Sequence, residues 1–214
     1  MTRKLWKAAA LCAFSLLPIS TLHAQGLPAL TNAPIGSFLV RGQTGITNND
    51  PGVNSSYSIV GGGNELWGPA DKGIFGYFNM NGDFDVKVRV DSLQPVHTYA
   101  KTGLMVRESL SSQSRMVSLF ATPTGPTQYP TNTTDTPTGE DQVEFNFRRA
   151  TSDGSNSILL GSPAYPNAWL RLARRGNVFY GLVSHDGTNW INSSSVDTAT
   201  WPAGAFKGVV LLGL

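Results

Sequence analysis

The 214 residues include 16 Lys and Arg against 14 Asp and Glu, a formal charge of +2. Three of the cations (Arg3, Lys4, Lys7) precede the first apolar run, and without that leader thirteen cations face fourteen anions, a charge of −1. A near-neutral chain with no basic run argues against nucleic acid or an anionic membrane as the main partner, and the basic pI is partly a property of the leader.

The leader, MTRKLWKAAALCAFSLLPISTLHAQ, has a basic start, an apolar stretch over 8–17, a break at Pro18 and a small residue at Ala24. This is the pattern of a secretory signal peptide, with cleavage expected after Ala24 and a secreted or periplasmic product. The apolar stretch is shorter than the roughly 20 residues of a membrane span, so no membrane insertion is expected. The single cysteine, Cys12, lies in the leader. Leu11 before it is the wrong residue for a lipoprotein processing site, so the mature chain is expected to carry neither disulfide nor lipid. About 190 residues suffice for one core, and one domain is expected over 31–214 after a loose segment at 25–30.

From there the chain reads as short alternating segments separated by Gly, Pro, Asn and Asp, with no long helical period. The predicted strands are 83–91, 100–108, 116–122, 142–149, 169–175, 177–185 and 208–214. In the first, Phe84, Val86, Val88 and Val90 face a core, while Asp85, Lys87 and Arg89 face water. In the second, Lys101, Gly103, Met105 and Arg107 share one face, and Thr102, Leu104, Val106 and Glu108 share the other. Seven strands with polar turns predict a sandwich of two packed antiparallel sheets. The Thr-, Pro- and Gly-rich stretch 122–141 is expected to be a long loop at one end. The closing apolar run to Leu214 is read as truncated, or as lacking a last strand that would pair with the N-terminal one.

The motifs SIVGGGNELWGPAD, NGDFDVKVRVDSL, YAKTGLMVRESL and WLRLARRGNVFYGLVSHDGTNW, in that order, resemble the regulation-of-enolase-type, concanavalin A-like domain of unknown function. The resemblance covers residues 30–214. It implies an all-β, concanavalin A-like jelly-roll sandwich, usually a module of secreted bacterial proteins, and it implies no established reaction. Glu65 and Leu66 stand where the family has Asp and Ile before the Trp-Gly pair.

Concanavalin A-like sandwiches include glycosidases with Glu-x-Asp-x-Glu on one strand, whose nucleophile and acid stand about 5–5.5 Å apart. The nearest match here is Glu140 to Glu144, in which Gln142 replaces the middle acid and Asp141 points away, so no catalytic residue is assigned. A polar patch of Lys101 and Arg107, with Asp71 or Glu65 and Glu108 nearby, could bind the hydroxyl or acidic groups of a glycan. An internal ion network that fixes the sheet is the favoured reading of the same residues. Trp67 and Tyr129 are the preferred exposed stacking residues, while Trp169 is expected to cover a sheet edge.

The turn SHDGTNW resembles the Asp-box of sialidases with altered spacing. Asp186 and Gly187 make it a tight turn over which Trp190 can fold. His97 and His185 have no clustered partners for a metal site or a catalytic triad. Asn79, Asn81, Asp83 and Asp85 alternate in a way that invites a calcium reading, but a turn entering a strand explains them more simply. No metal and no cofactor is expected. The expected function is a non-catalytic secreted module binding a glycan or cell-surface polymer, with a glycan-cleaving enzyme and a structural or adhesion spacer as rivals. The sequence sets no oligomeric state.

Overall fold

The computed structural model describes residues 29–37, 56–63, 66–125 and 140–214. The leader, Glu65, Tyr129 and most of the 122–141 loop lie outside them. Among the described residues, eleven strands form two antiparallel sheets: β1 (Thr31–Ile35), β2 (Gly73–Asn81), β3 (Phe84–Val90), β4 (Thr102–Arg107), β5 (Met116–Ala121), β6 (Val143–Arg148), β7 (Asn156–Leu159), β8 (Ala168–Arg175), β9 (Val178–Ser184), β10 (Trp190–Asp197) and β11 (Val209–Gly213). The larger sheet runs β1-β2-β11-β4-β5-β6-β7 and the smaller β10-β9-β8-β3. The chain is thus the all-β jelly-roll sandwich of two antiparallel sheets that the sequence predicts. No described helix is long and apolar enough to cross a membrane.

The core lies between the sheets. Leu104 and Val106, Val117 and Leu119, Val143 and Phe145, and Val210 and Leu212 meet Leu170, Leu172, Phe179 and Val183 from the smaller sheet. An aromatic chain continues along it, from Phe147 stacked on Trp201 at 5.8 Å to Phe206 against Phe179 at 5.5 Å. The period-2 pattern of β3 survives, with Asp85, Lys87 and Arg89 on the outer face of the smaller sheet.

In the larger sheet β5 is buried at every residue, because both faces are covered. Ile35, Phe75, Met105 and Phe120 form a second apolar cluster on its outer face. Strands covered on both sides read as continuous apolar runs, as MVSLFA does.

The seven predicted strands are all present. The four not predicted have local reasons. β1, β7 and β10 are edge strands: one contains Pro34, one has four residues, and one reads WINSSSVD. Proline, brevity and polarity are how sheet edges are kept from pairing further. β2, GIFGYFNMN, carries large apolar residues on both faces and so lacks alternation. The run 208–214 contains β11, which lies between β2 and β4 with Leu211 opposite both Asn79 and Arg107.

Candidate functional site

The expected polar patch lies on the outer face of the larger sheet and divides into two parts. At one end, Asp71, in the loop before β2, is fully buried and donates its N–H to the Ser112 carbonyl at 2.8 Å. Arg107 of β4 and Arg148 of β6 converge on its carboxylate. Arg107 Nη1 donates to Oδ2, Arg148 Nη1 to Oδ2 at 2.9 Å, and Arg148 Nη2 to Oδ1 at 2.5 Å. The other guanidinium hydrogens go to carbonyls: Ser109 and Ser111 for Arg107, and Gly68, Ser114 and Asp153 for Arg148. Burial pushes the Arg107 guanidinium below its usual range, with the Asp71 charge opposing. This arrangement ties the WGPAD loop and the loop after β4 to the sheet, and it fits the structural reading. Arg148, its third member, was not singled out in the sequence.

At the other end of the same face, about six residues or ~20 Å along β4, Lys101 donates to Glu144 Oε1 at 2.6 Å. Asn146 Nδ2 donates to Glu144 Oε2 at 2.6 Å. Glu140 precedes β6, and the positive φ of Asp141 (55°) breaks the strand alternation between them. Burial, then hydrogen bonding to Glu144 and the Glu144 charge, push Glu140 up to about 7. Burial also works against the charge of Glu144, but hydrogen bonds from Glu140, Asn146 and Lys101 and the Lys101 charge outweigh it and hold Glu144 below the usual range.

Glu108 points to the other face of β4 and pairs with Arg115, whose Nε donates to Oε2 at 2.7 Å. Arg115 also donates to the Gly204 carbonyl at 2.5 Å and lies over the Phe206 ring, so this pair anchors the segment after β10. Trp67 is 46 % exposed, and its carbonyl accepts from the Ser155 N–H. Of the expected residues, Asp71 and Arg107 are in direct contact, inside the sheet's buried triad, and Tyr129 lies outside the described residues.

The arrangement that the sequence reading missed lies on the outer face of the smaller sheet. Arg89 is opposite Trp169, Lys87 opposite Arg171, and Arg171 opposite Leu182. The guanidinium of Arg171 forks onto Asp85, Nε to Oδ1 and Nη2 to Oδ2, both at 2.7 Å. It lies 5.4 Å from the centre of the Trp190 ring. Lys87 and Arg89 stand 5.5 and 5.8 Å from the centre of Trp169.

Hydrogen bonding and charge from Arg171 hold the Asp85 carboxyl below its usual range, against partial burial. The same hydrogen bond raises Arg171. Asp85, Lys87, Arg171 and Trp190 line a shallow depression of about 270 Å³. The signal was available in the sequence: Asp85-x-Lys87-x-Arg89 and Trp169-x-Arg171 each alternate onto one face.

Trp169 is not at an edge, since β8 is an interior strand. Its ring lies beneath the SHDGTNW turn, and a methyl group added to Gly187 (φ +73°) would stand 2.8 Å from it. Trp169, not Trp190, is therefore the ring that the turn covers. Asp186 organises the turn by accepting from Thr188 N at 2.8 Å and Asn189 N at 2.7 Å, bonds that hold its carboxyl well below the usual range. Of the alternating residues at the turn into β3, Asp83 accepts from Gly176 N at 2.7 Å, and Asp85 accepts from Arg171 and Arg175.

No family profile matches the chain, and no curated protein matches it in sequence. Three solved structures are similar over most of their length. A functionally unknown protein from Saccharomyces cerevisiae is 15% identical, with 89% of this chain and 85% of that one covered and a TM-score of 0.45. A Bacillus licheniformis β-glucanase is 11% identical, with 86% and 84% covered and a TM-score of 0.37. The CBM2 module of an evolved Dit protein of Lactobacillus casei BL23 phage J-1 is 11% identical, with 87% and 88% covered and a TM-score of 0.33.

Proposed function

We propose that this chain is an exported, non-catalytic β-sandwich module of the regulation-of-enolase-type kind, which binds carbohydrate or another hydroxyl-rich surface polymer through the outer face of its smaller sheet. The observation that carries this reading is the depression between Trp190 and the Asp85–Arg171 fork. There an aromatic plate stands beside charged groups that hydrogen bonds already hold in position. Sugar rings present an apolar face to such a plate and hydroxyls to the polar groups beside it, and little ordering cost remains for the site to meet on binding.

The expected patch contributes less, because Asp71 and Arg107 have their polar atoms committed within the fold. Trp67 stays in the proposal as an aromatic on the opposite side. Bearing on cleavage, Lys101 occupies Glu144 and the left-handed Asp141 breaks the alternation that would set Glu140, Gln142 and Glu144 on one strand face, which supports binding over hydrolysis by a Glu-x-Asp-x-Glu arrangement.

A glycan array with the mature chain, run beside a reducing-sugar release assay, tests the proposal. Retention without release is expected, and Trp190→Ala and Arg171→Ala should each weaken it at least tenfold while circular dichroism is unchanged. Sugar release would support the enzyme. Neither retention nor release would leave the spacer.

A further inference from the structure

We propose that the outer face of the larger sheet holds a second site, formed by Lys101, Glu140, Glu144, Asn146 and Ser157, that takes a single hydroxyl-rich unit such as one sugar residue. It is on the opposite side of the sandwich from Trp190 and rests on different observations.

Several hydrogen bonds on this face of the sheet are not made. A buried polar atom without a partner costs roughly 1–3 kcal/mol, so a native fold carries few of them, and those it keeps call for an explanation. Among the described residues, seven buried side-chain polar atoms lack a partner, and four of them, Thr98 Oγ1, Glu140 Oε2, Asn146 Oδ1 and Ser157 Oγ, belong to this part of the sheet. Asn146 is opposite Ser157 on β7 and Ser118 on β5. Thr98 joins the group through its carbonyl, which accepts from Glu140 N at 3.2 Å. Asn146 is 0 % exposed, and its amide is held in the cluster by Nδ2 on Glu144, yet its oxygen has no donor. Ser118, equally buried, has only the Met116 sulfur at 3.5 Å. Lys101, Glu140 and Ser157 are half-buried around this floor.

The chemistry of these groups selects the ligand. Two carboxyls repel an anion, and the Lys101 ammonium already sits on Glu144 where an incoming cation would be drawn. The unmet needs are mixed. The Asn146 oxygen is an acceptor only, while the Ser157 and Thr98 hydroxyls donate or accept. A neutral group that both donates and accepts at several adjacent points meets them together, and vicinal hydroxyls have that property. These few, fixed polar groups stand beside Phe120, which is opposite Glu144 on β5, and fixed polar groups next to apolar surface are the usual lining of a small-molecule site.

The test is a set of nuclear magnetic resonance titrations of the mature chain with glucose, galactose, mannose, N-acetylglucosamine and glycerol. At least one saccharide should give saturable shifts. Ser157→Ala and Asn146→Ala should each weaken binding tenfold or more, and Trp190→Ala should leave it unchanged. If Asn146→Ala does not fold, the half-buried Ser157→Ala decides. No saturable shift with any probe, or shifts lost in Trp190→Ala and kept in Ser157→Ala, overturns the proposal. Loss of polymer retention in Trp190→Ala with monosaccharide shifts intact would support both sites, and the converse pattern would remove this one alone.

Discussion

Replacing Asp71 by Asn keeps the shape of the side chain and removes its charge, leaving Arg107 and Arg148 buried without an anion. Two of the three contacts, from Arg107 Nη1 and Arg148 Nη1, fall on Oδ2, which an amide oxygen can replace. The third, from Arg148 Nη2 to Oδ1, becomes donor against donor. A charge-assisted hydrogen bond contributes about 1.5–3 kcal/mol, and breaking a buried ion pair from one side costs about 3–5 kcal/mol. Asp71→Asn should therefore lose roughly 3–5 kcal/mol, a fifth or more of the roughly 5–15 kcal/mol of an ordinary domain.

In urea, followed by tryptophan fluorescence with a slope of about 2 kcal/mol/M, the midpoint should fall by roughly 2 M. A triple replacement, Asp71→Leu with Arg107→Met and Arg148→Met, removes the charges together and should lie within about 2 kcal/mol of the natural protein. A loss below about 1 kcal/mol in Asp71→Asn would refute the structural reading of the triad. If such a stable variant also lost glycan retention, the triad would be part of a binding site.

The raised pKa of Glu140 makes stability fall as pH rises from about 4.5 to about 7, because the folded state holds its proton after the unfolded chain has released it. The full linkage is roughly 3 kcal/mol, reduced to about 1–2 kcal/mol by the partial exposure of the carboxyl. Glu144, held low, acts below that window, where it loses its contribution as pH falls. Glu140→Gln should flatten the pH profile of the melting temperature between those values, and superimposable profiles would count against the pair. Gly187→Ala should cost about 1–3 kcal/mol, from a positive φ and a methyl forced against Trp169. Near-ultraviolet circular dichroism should report the displaced ring, and an unchanged melting temperature and spectrum would refute the packing. Phe145→Ala, at a fully buried site, should cost about 3–5 kcal/mol. A methyl on Gly181 would meet the Phe145 ring at 2.6 Å, so Gly181→Ala should be better tolerated in the Phe145→Ala background. Strict additivity in that double-mutant cycle would contradict the contact.

The sandwich was legible wherever one face of a strand met water. The ladder of Phe84, Val86, Val88 and Val90 fixed β3 and its facing, because alternation is the direct imprint of a half-buried strand. It failed in β2, whose apolar residues serve two faces, and at the polar edges β1, β7 and β10. The candidate sites were harder to read because side-chain meetings across strands are long-range facts. Arg148 joins Asp71 from 77 residues away, and Arg171 joins Asp85 from 86. The alternating reading of Glu140 to Glu144 does not hold either, because Asp141 takes a left-handed conformation before β6 begins and breaks the strand period between them.

The position of β11 bears on how the protein is made. Residues 209–213 are the last of the described strands to leave the ribosome, yet they lie between β2 and β4. Until they arrive, the larger sheet is two fragments, β1-β2 and β4 to β7, each with an unpaired inner rim of N–H and C=O groups. Such rims are templates for pairing with another chain, and their closure waits on contacts more than a hundred residues apart in sequence, which form slowly. A nascent or unfolded copy is thus exposed to intermolecular strand exchange along β2 and β4 until β11 docks. Pausing or weakening that last step would be expected to send the protein toward aggregates with a nearly complete sandwich in every molecule.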